Sequence, residues 1–198
     1  MRAAAAFSLL LLLASCGKDI PSSHLSKEPI SVRGWIADVE TKQDDSGTFR
    51  TVETENARRA ALYQGTNIWV ESSPYVSGGV AETGAFLLLD VPPGNVTVDF
   101  TPPGATGARL VMQNIPGNAD VLVPNVMLKA DGTTTVLDPK AVKVRIAAKI
   151  DKPRPTNLTA TIAGVTVPVM EVPIAQMVDR RDYPDTGNTA AAPLATVK

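Results

Sequence analysis

The sequence predicts an all-β protein, and three observations lead there. Sixteen prolines and fourteen glycines punctuate 198 residues, a density that a helical bundle does not tolerate because each interior proline removes a helix hydrogen bond. Short runs alternate apolar and polar residues, the period of a half-buried strand. Gly, Pro and Asn clusters separate those runs at roughly 8–12-residue spacing, the rhythm of a β-sandwich.

The elements follow in order. Ser31-Val32-Arg33-Gly34-Trp35-Ile36-Ala37-Asp38 alternates and forms the first strand. Residues 40–62 hold the one stretch of helix-like composition, Glu53 to Leu62, and read as a long connection with one or two helical turns. Asn67-Ile68-Trp69-Val70-Glu71 is a second strand, and Ser77-Gly78-Gly79 and Glu82-Thr83-Gly84 are turns around Val80-Ala81. Ala85 to Leu89 is a buried strand. Pro92-Pro93-Gly94-Asn95 reverses the chain into Val96-Thr97-Val98-Asp99-Phe100-Thr101, and Pro102-Pro103-Gly104 ends it. Arg109–Gln113 and Val121–Leu128 are further strands. Beyond them, Thr133–Leu137, Val142–Ile150, Leu158–Ile162 and Val165–Met170 read the same way, with a tight Ala163-Gly164 turn between the last two.

The N-terminus carries a different signal. Met1-Arg2 precedes an apolar run from Ala3 to Leu13, then Ala14-Ser15-Cys16. About eleven apolar residues are too few to cross a bilayer, which takes roughly twenty, so the run reads as a removable secretory signal. Leu13-Ala14-Ser15-Cys16 resembles the lipobox of bacterial lipoproteins. That resemblance implies cleavage before Cys16 and acylation of its thiol, and two or three acyl chains hold a domain at a membrane stably. Cys16 is the only cysteine, so an exported chain has no internal disulfide to form. Gly17-Lys18 follows, with no Asp directly after the cysteine, which by analogy favours the outer membrane.

Domain boundaries follow from these signals. Residues 1–15 are the signal and 16–29 a polar tether. Residues 30–129 form the sandwich, 130–178 supply additional C-terminal β-strands packed on or extending it, and 179–198 form a tail expected to be disordered.

Gly34 to Gly104 resembles a carboxypeptidase regulatory-like domain, a transthyretin/prealbumin-like Greek-key β-sandwich. The resemblance rests on Gly34-Trp35-Ile36-Ala37-Asp38, on Thr66-Asn67-Ile68-Trp69-Val70, and on Glu82 to Val98 with its Gly84-Ala85-Phe86 and Val91-Pro92-Pro93-Gly94. The chain departs from the family in a long first connection and in Val96, where an aromatic is frequent. Such domains carry no catalytic residues, so the resemblance implies a structural or interaction accessory.

Composition limits the chemistry. Net charge is −1, with 19 basic and 20 acidic residues and no basic stripe, so nucleic-acid binding lacks its electrostatic footprint. His24 is the only histidine and lies in the tether, leaving the body without a base for Ser-His-Asp or Cys-His catalysis. Asp44-Asp45, Glu53 with Glu55, and Asp179 with Asp182 and Asp185 cluster without calcium-loop or glycosidase signatures; they read as solvated faces. Asn95-Val96-Thr97 and Asn157-Leu158-Thr159 match a glycosylation pattern that is common by chance. No catalytic residue, metal site or cofactor is expected.

Two functional expectations result. The first is a lipid-anchored, non-enzymatic cell-envelope protein, attached to the membrane through Cys16 and offering its sandwich to a protein partner. The second is a glycan-binding module. Trp35 and Trp69 are placed on neighbouring strands that can share a face, and with Tyr75 they form a platform on which sugars stack.

Overall fold

The computed structural model describes residues 27–41 and 51–177. Cys16, His24, Asp44-Asp45 and the segment 179–198 lie outside the described residues. Among the described residues there are eleven strands: β1 (Ile30–Val39), β2 (Asn67–Val70), β3 (Ser73–Gly79), β4 (Ala85–Val91), β5 (Gly94–Thr101), β6 (Ala108–Ile115), β7 (Ala119–Leu128), β8 (Thr134–Val136), β9 (Lys143–Ala148), β10 (Arg154–Ile162) and β11 (Val165–Pro173). One helix, α1 (Val52–Gln64), lies between β1 and β2, and 3-10 turns occupy Pro139–Ala141 and Ile174–Gln176. The all-β class holds. Among the described residues no helix is long and apolar enough to cross a membrane.

The strands form one mixed sheet in the order β3-β2-β5-β6-β10-β11-β9-β7-β1-β4, with β8 paired to β7. Its two ends curl towards each other. An isolated bridge joins Val80 to Phe86, and the Ala81 amide donates to the Ala85 carbonyl at 2.8 Å. The result is close to a barrel, which leaves little unpaired edge at this seam. β9 pairs with β7, and β10 pairs with β6, so the strands beyond residue 130 continue the sheet. Val136, Val144, Ala160, Ile162 and Val169 belong to the same core cluster as Val32, Phe86, Phe100 and Val121.

The centre of that core is set by glycine and phenylalanine together. β1 runs parallel to β7 with Gly34 opposite Val123, and the register shifts between Gly34 and Ile36. A Cβ on Gly34 would collide with the Val123 carbonyl oxygen and lie 2.9 Å from Phe86 Cζ. The missing side chain thus lets β1 sit against β7 while the Phe86 ring passes beneath. Phe86 in turn meets Phe100 of β5 edge-to-face, with centroids 5.2 Å apart and planes at 81°, the geometry aromatic quadrupoles favour.

Two local readings change. The connection before β2 holds a helix of 13 residues, longer than one or two turns. Thr51 caps it by accepting from the Thr54 amide at 3.2 Å, and Glu53 and Glu55 sit in the first turn, where the helix dipole favours acidic charge. Tertiary contacts extend its other end: Tyr63 is buried and donates to the Ala37 carbonyl at 2.9 Å, and Arg59 reaches Asp38 at 3.0 Å. The second change concerns Ser77-Gly78-Gly79, which lies within β3. Pairing with Trp69, Ile68 and Asn67 of β2 overrides its turn-like composition. Elsewhere the turn residues behave as their chemistry requires. Gly84 adopts φ +83°, and a Cβ there would meet the Ile36 carbonyl oxygen at 2.6 Å. Ala163 and Gly164 both take positive φ, 47° and 80°, the signature of a two-residue hairpin turn.

Gly34→Ala is expected to lower stability by roughly 3 kcal/mol, because backbone must move to admit the methyl. Gly94→Ala, at φ +98° with nothing within 4 Å of the added carbon, is expected to cost only about 1 kcal/mol of backbone strain. Urea midpoints of the two variants provide the comparison.

Candidate functional site

Few charges sit inside this protein, and three of them meet. Arg33 on β1, Asp120 on β7 and Arg145 on β9 are all buried. Register explains the meeting: Ser31 lies opposite Asp120 across the parallel β1–β7 pair, and Asp120 lies opposite Arg145 across β7–β9. Their side chains therefore emerge on one face, the face turned away from Val121 and Val144. Arg33 forks onto both oxygens of Asp120, Nε to Oδ1 at 2.9 Å and Nη2 to Oδ2 at 2.8 Å. Arg145 approaches Oδ2 from the other side, with Nη2 at 2.7 Å, and Ser31 Oγ donates to Oδ1 at 3.0 Å.

Burial raises the pKa of the Asp120 carboxyl, but hydrogen bonds and charge from Arg33 and Arg145 outweigh it, so the pKa falls below the usual value. Two guanidiniums on one carboxylate leave the cluster net positive. It stitches three strands at fixed register, and its members offer no proton acceptor of ordinary basicity.

Beside Arg145 lies a cleft of about 640 Å³. Residues of β9 and β11 line it, together with Pro139, Lys140, Val142 and Pro153. Its surface is mostly valine, proline and methionine, and its charged residues are Lys140, Lys143 and Arg145. No acidic residue lines it. Among the described residues no group of three His, Cys, Asp or Glu side chains gathers to hold a metal. The described residues contain neither His nor Cys, and the cleft lining offers apolar surface and positive charge, a combination suited to binding.

Of the aromatic residues singled out from sequence, Trp69 on β2 and Tyr75 on β3 lie on paired strands, and Trp35 lies on a strand paired with neither. Trp35 is on β1, whose neighbours are β4 and β7, whereas Trp69 is on β2, whose neighbours are β3 and β5. The expectation that Trp35 and Trp69 occupy neighbouring strands is corrected, because β1 and β2, consecutive in sequence, pair with other partners in space. Both tryptophans are half-buried. Tyr75, on β3, is 76% exposed.

Sequence reasoning missed the charged cluster. One signal was present: Asp120 interrupts an apolar run from Ala119 to Val123, and a lone carboxylate in a strand buried on both faces requires a cationic partner. No family model, curated protein or solved structure matches the chain.

Asp120→Asn should destabilise the fold by about 3–5 kcal/mol at neutral pH, since it strands two buried guanidiniums. Because the folded-state pKa of Asp120 is depressed, its contribution is complete above the unfolded value of about 3.9 and is lost as pH falls below it through the folded value. Urea unfolding between pH 7 and pH 2 should show that acid-side loss in the wild type and a flatter profile in Asp120→Asn.

Proposed function

We propose that the protein is a lipid-anchored component of a bacterial cell envelope whose β-sandwich is a non-catalytic structural or interaction module. The observation that carries this is Leu13-Ala14-Ser15-Cys16 directly after the apolar run from Ala3 to Leu13. The only cysteine in the chain stands where acylation requires it, and Gly17-Lys18 after it favours the outer membrane.

The body supports a binding role over a catalytic one. Its buried charges are committed to one another, and a cleft of about 640 Å³ among the described residues is lined by apolar side chains with Lys140, Lys143 and Arg145. The transthyretin-type reading draws support from strand order. β1 neighbours β4 and β2 neighbours β5 in antiparallel pairs, so at these two places the chain skips the strand next in sequence, as Greek-key connections do, while β1 also pairs in parallel with β7. Gly84, Phe86 and Gly94 occupy the positions on which the family resemblance rests. A second reading, glycan binding, is favoured by the exposure of Tyr75 and the partial exposure of Trp35 and Trp69. Trp69 and Tyr75 lie on the paired strands β2 and β3, apart from the strands that flank Trp35.

Metabolic labelling with radioactive palmitate tests the anchor. Wild type is expected to take up label and sediment with outer membranes, and Cys16→Ser to lose both properties. Label retained by Cys16→Ser, or absent from the wild type, would overturn the proposal. Crosslinked capture from native membranes then separates the readings: one enriched protein supports the interaction module, and enriched surface glycan supports the sugar-binding one.

A further inference from the structure

The cleft sits at a gap in the sheet. β9 joins β11 in parallel only from Val144 opposite Val169 onward, because the 3-10 turn at Pro139–Ala141 brings the chain in from the side. The earlier part of β11, Val165 to Pro168, pairs with β10 alone among the described residues. Hairpin geometry shows which groups face the gap. Ile162 and Val165 close a two-residue turn and exchange both hydrogen bonds, so alternate pairs along the ladder point their backbone groups outward. Those pairs are Thr161 with Thr166 and Thr159 with Pro168. Thr161 turns its groups towards Gln113 of β6. The N–H and C=O of Thr166 therefore face the cleft, while the register that sets Val169 opposite Val144 gives the outward C=O of Pro168 to the Val144 amide; proline falls at a position where its missing N–H costs no β10 bond.

We propose that this cleft docks a short extended segment of a partner protein, which adds as a strand to the open edge of β11 at Thr166. The segment is apolar at alternate positions and acidic at its ends. The open edge argues for a peptide, since main-chain groups aligned along an edge recognise another main chain. The gap spans four residues, about 13 Å of strand. The lining argues for the sequence character: Val142, Val167 and Met170 offer apolar contact, while the lining's only charges are positive. Lys140 is exposed at the rim and supplies attraction to an acidic end. This inference rests on the reading of the body as an interaction module and gives that module its binding surface.

The test uses the full chain in detergent and a fluorescent acetylated peptide, Glu-Val-Thr-Val-Glu, with Lys-Val-Thr-Val-Lys as its charge-reversed control. Saturable binding of the acidic peptide alone is expected, with slowed hydrogen exchange at the Thr166 amide. Lys140→Glu should weaken that binding about fivefold at low salt, and Thr166→Pro, which removes the edge donor, should abolish it. Lys140→Glu lies on an exposed turn, so it reports even if Thr166→Pro fails to fold. Equal binding of both peptides, or no effect of Lys140→Glu, overturns the proposal. So does oleate competing for the same cleft, which would make it a lipid site. Binding that emerges only when Asp179, Asp182 and Asp185 are changed to Asn also overturns it, by making this chain's own tail the occupant. An envelope partner captured equally well by Lys140→Glu sinks the slot and leaves the module standing. Peptide binding without any captured envelope protein supports the slot and removes the broader reading.

Discussion

The parallel contact between β1 and β7 is the constraint on which the rest of this fold depends. It holds because residue 34 has no side chain: the Val123 carbonyl and the Phe86 ring occupy the space a Cβ would need. From that contact β4 extends one way and β9 the other. Phe86 carries the packing across to Phe100 and hence to β5 on the opposite side of the molecule. Parallel strands need a long crossover, and here the intervening chain supplies it as α1 and five further strands.

The same pairing explains why charge is buried at all. Once β1 lies against β7 and β7 against β9, Arg33, Asp120 and Arg145 project from adjacent positions on one face and neutralise most of one another. A buried ion cluster adds little net stability against an apolar alternative, yet breaking it is costly. Its best-attested role elsewhere is to fix register, and register is what a one-residue slip of β1 would destroy, exchanging the faces of Val32 and Arg33 and parting Arg33 from Asp120. The cleft is a by-product of the next step outward. β9 is short, β11 is long, and the mismatch leaves the first residues of β11 with one neighbour.

Much of the fold was legible in the sequence, for identifiable reasons. Proline and glycine mark nearly every strand end, so Ala163-Gly164 read correctly as a hairpin turn, whereas Pro92-Pro93-Gly94 ends β4 and leads into β5, which pairs with β2 and β6 instead. Alternation placed Val96, Val98 and Phe100 on the core side. Three features were not legible. The length of α1 depends on Tyr63 reaching Ala37 and Arg59 reaching Asp38, which are tertiary contacts and leave no local periodicity. β3 contains Ser77-Gly78-Gly79, whose composition signals a turn until β2 is present to pair with it. Strand neighbours were the hardest to read: Trp35 and Trp69 belong to consecutive sequence strands that do not pair, because periodicity gives a strand its faces and says nothing about its partners. The charged cluster was half visible, in Asp120 within an apolar run, but its arginines lie 87 and 25 residues away in sequence.

The central claim is that residues beyond 130 belong to the same sheet and core as the sandwich that precedes them. Native-state hydrogen exchange of backbone amides measures this directly, because opening units reveal themselves as groups with separate free energies. The account predicts that slow amides in β1 and β7 and those in β9, β10 and β11 exchange together, at the free energy of global unfolding. A hairpin of β10 and β11 that exchanged several kcal/mol earlier, while β1 and β7 stayed protected, would contradict it.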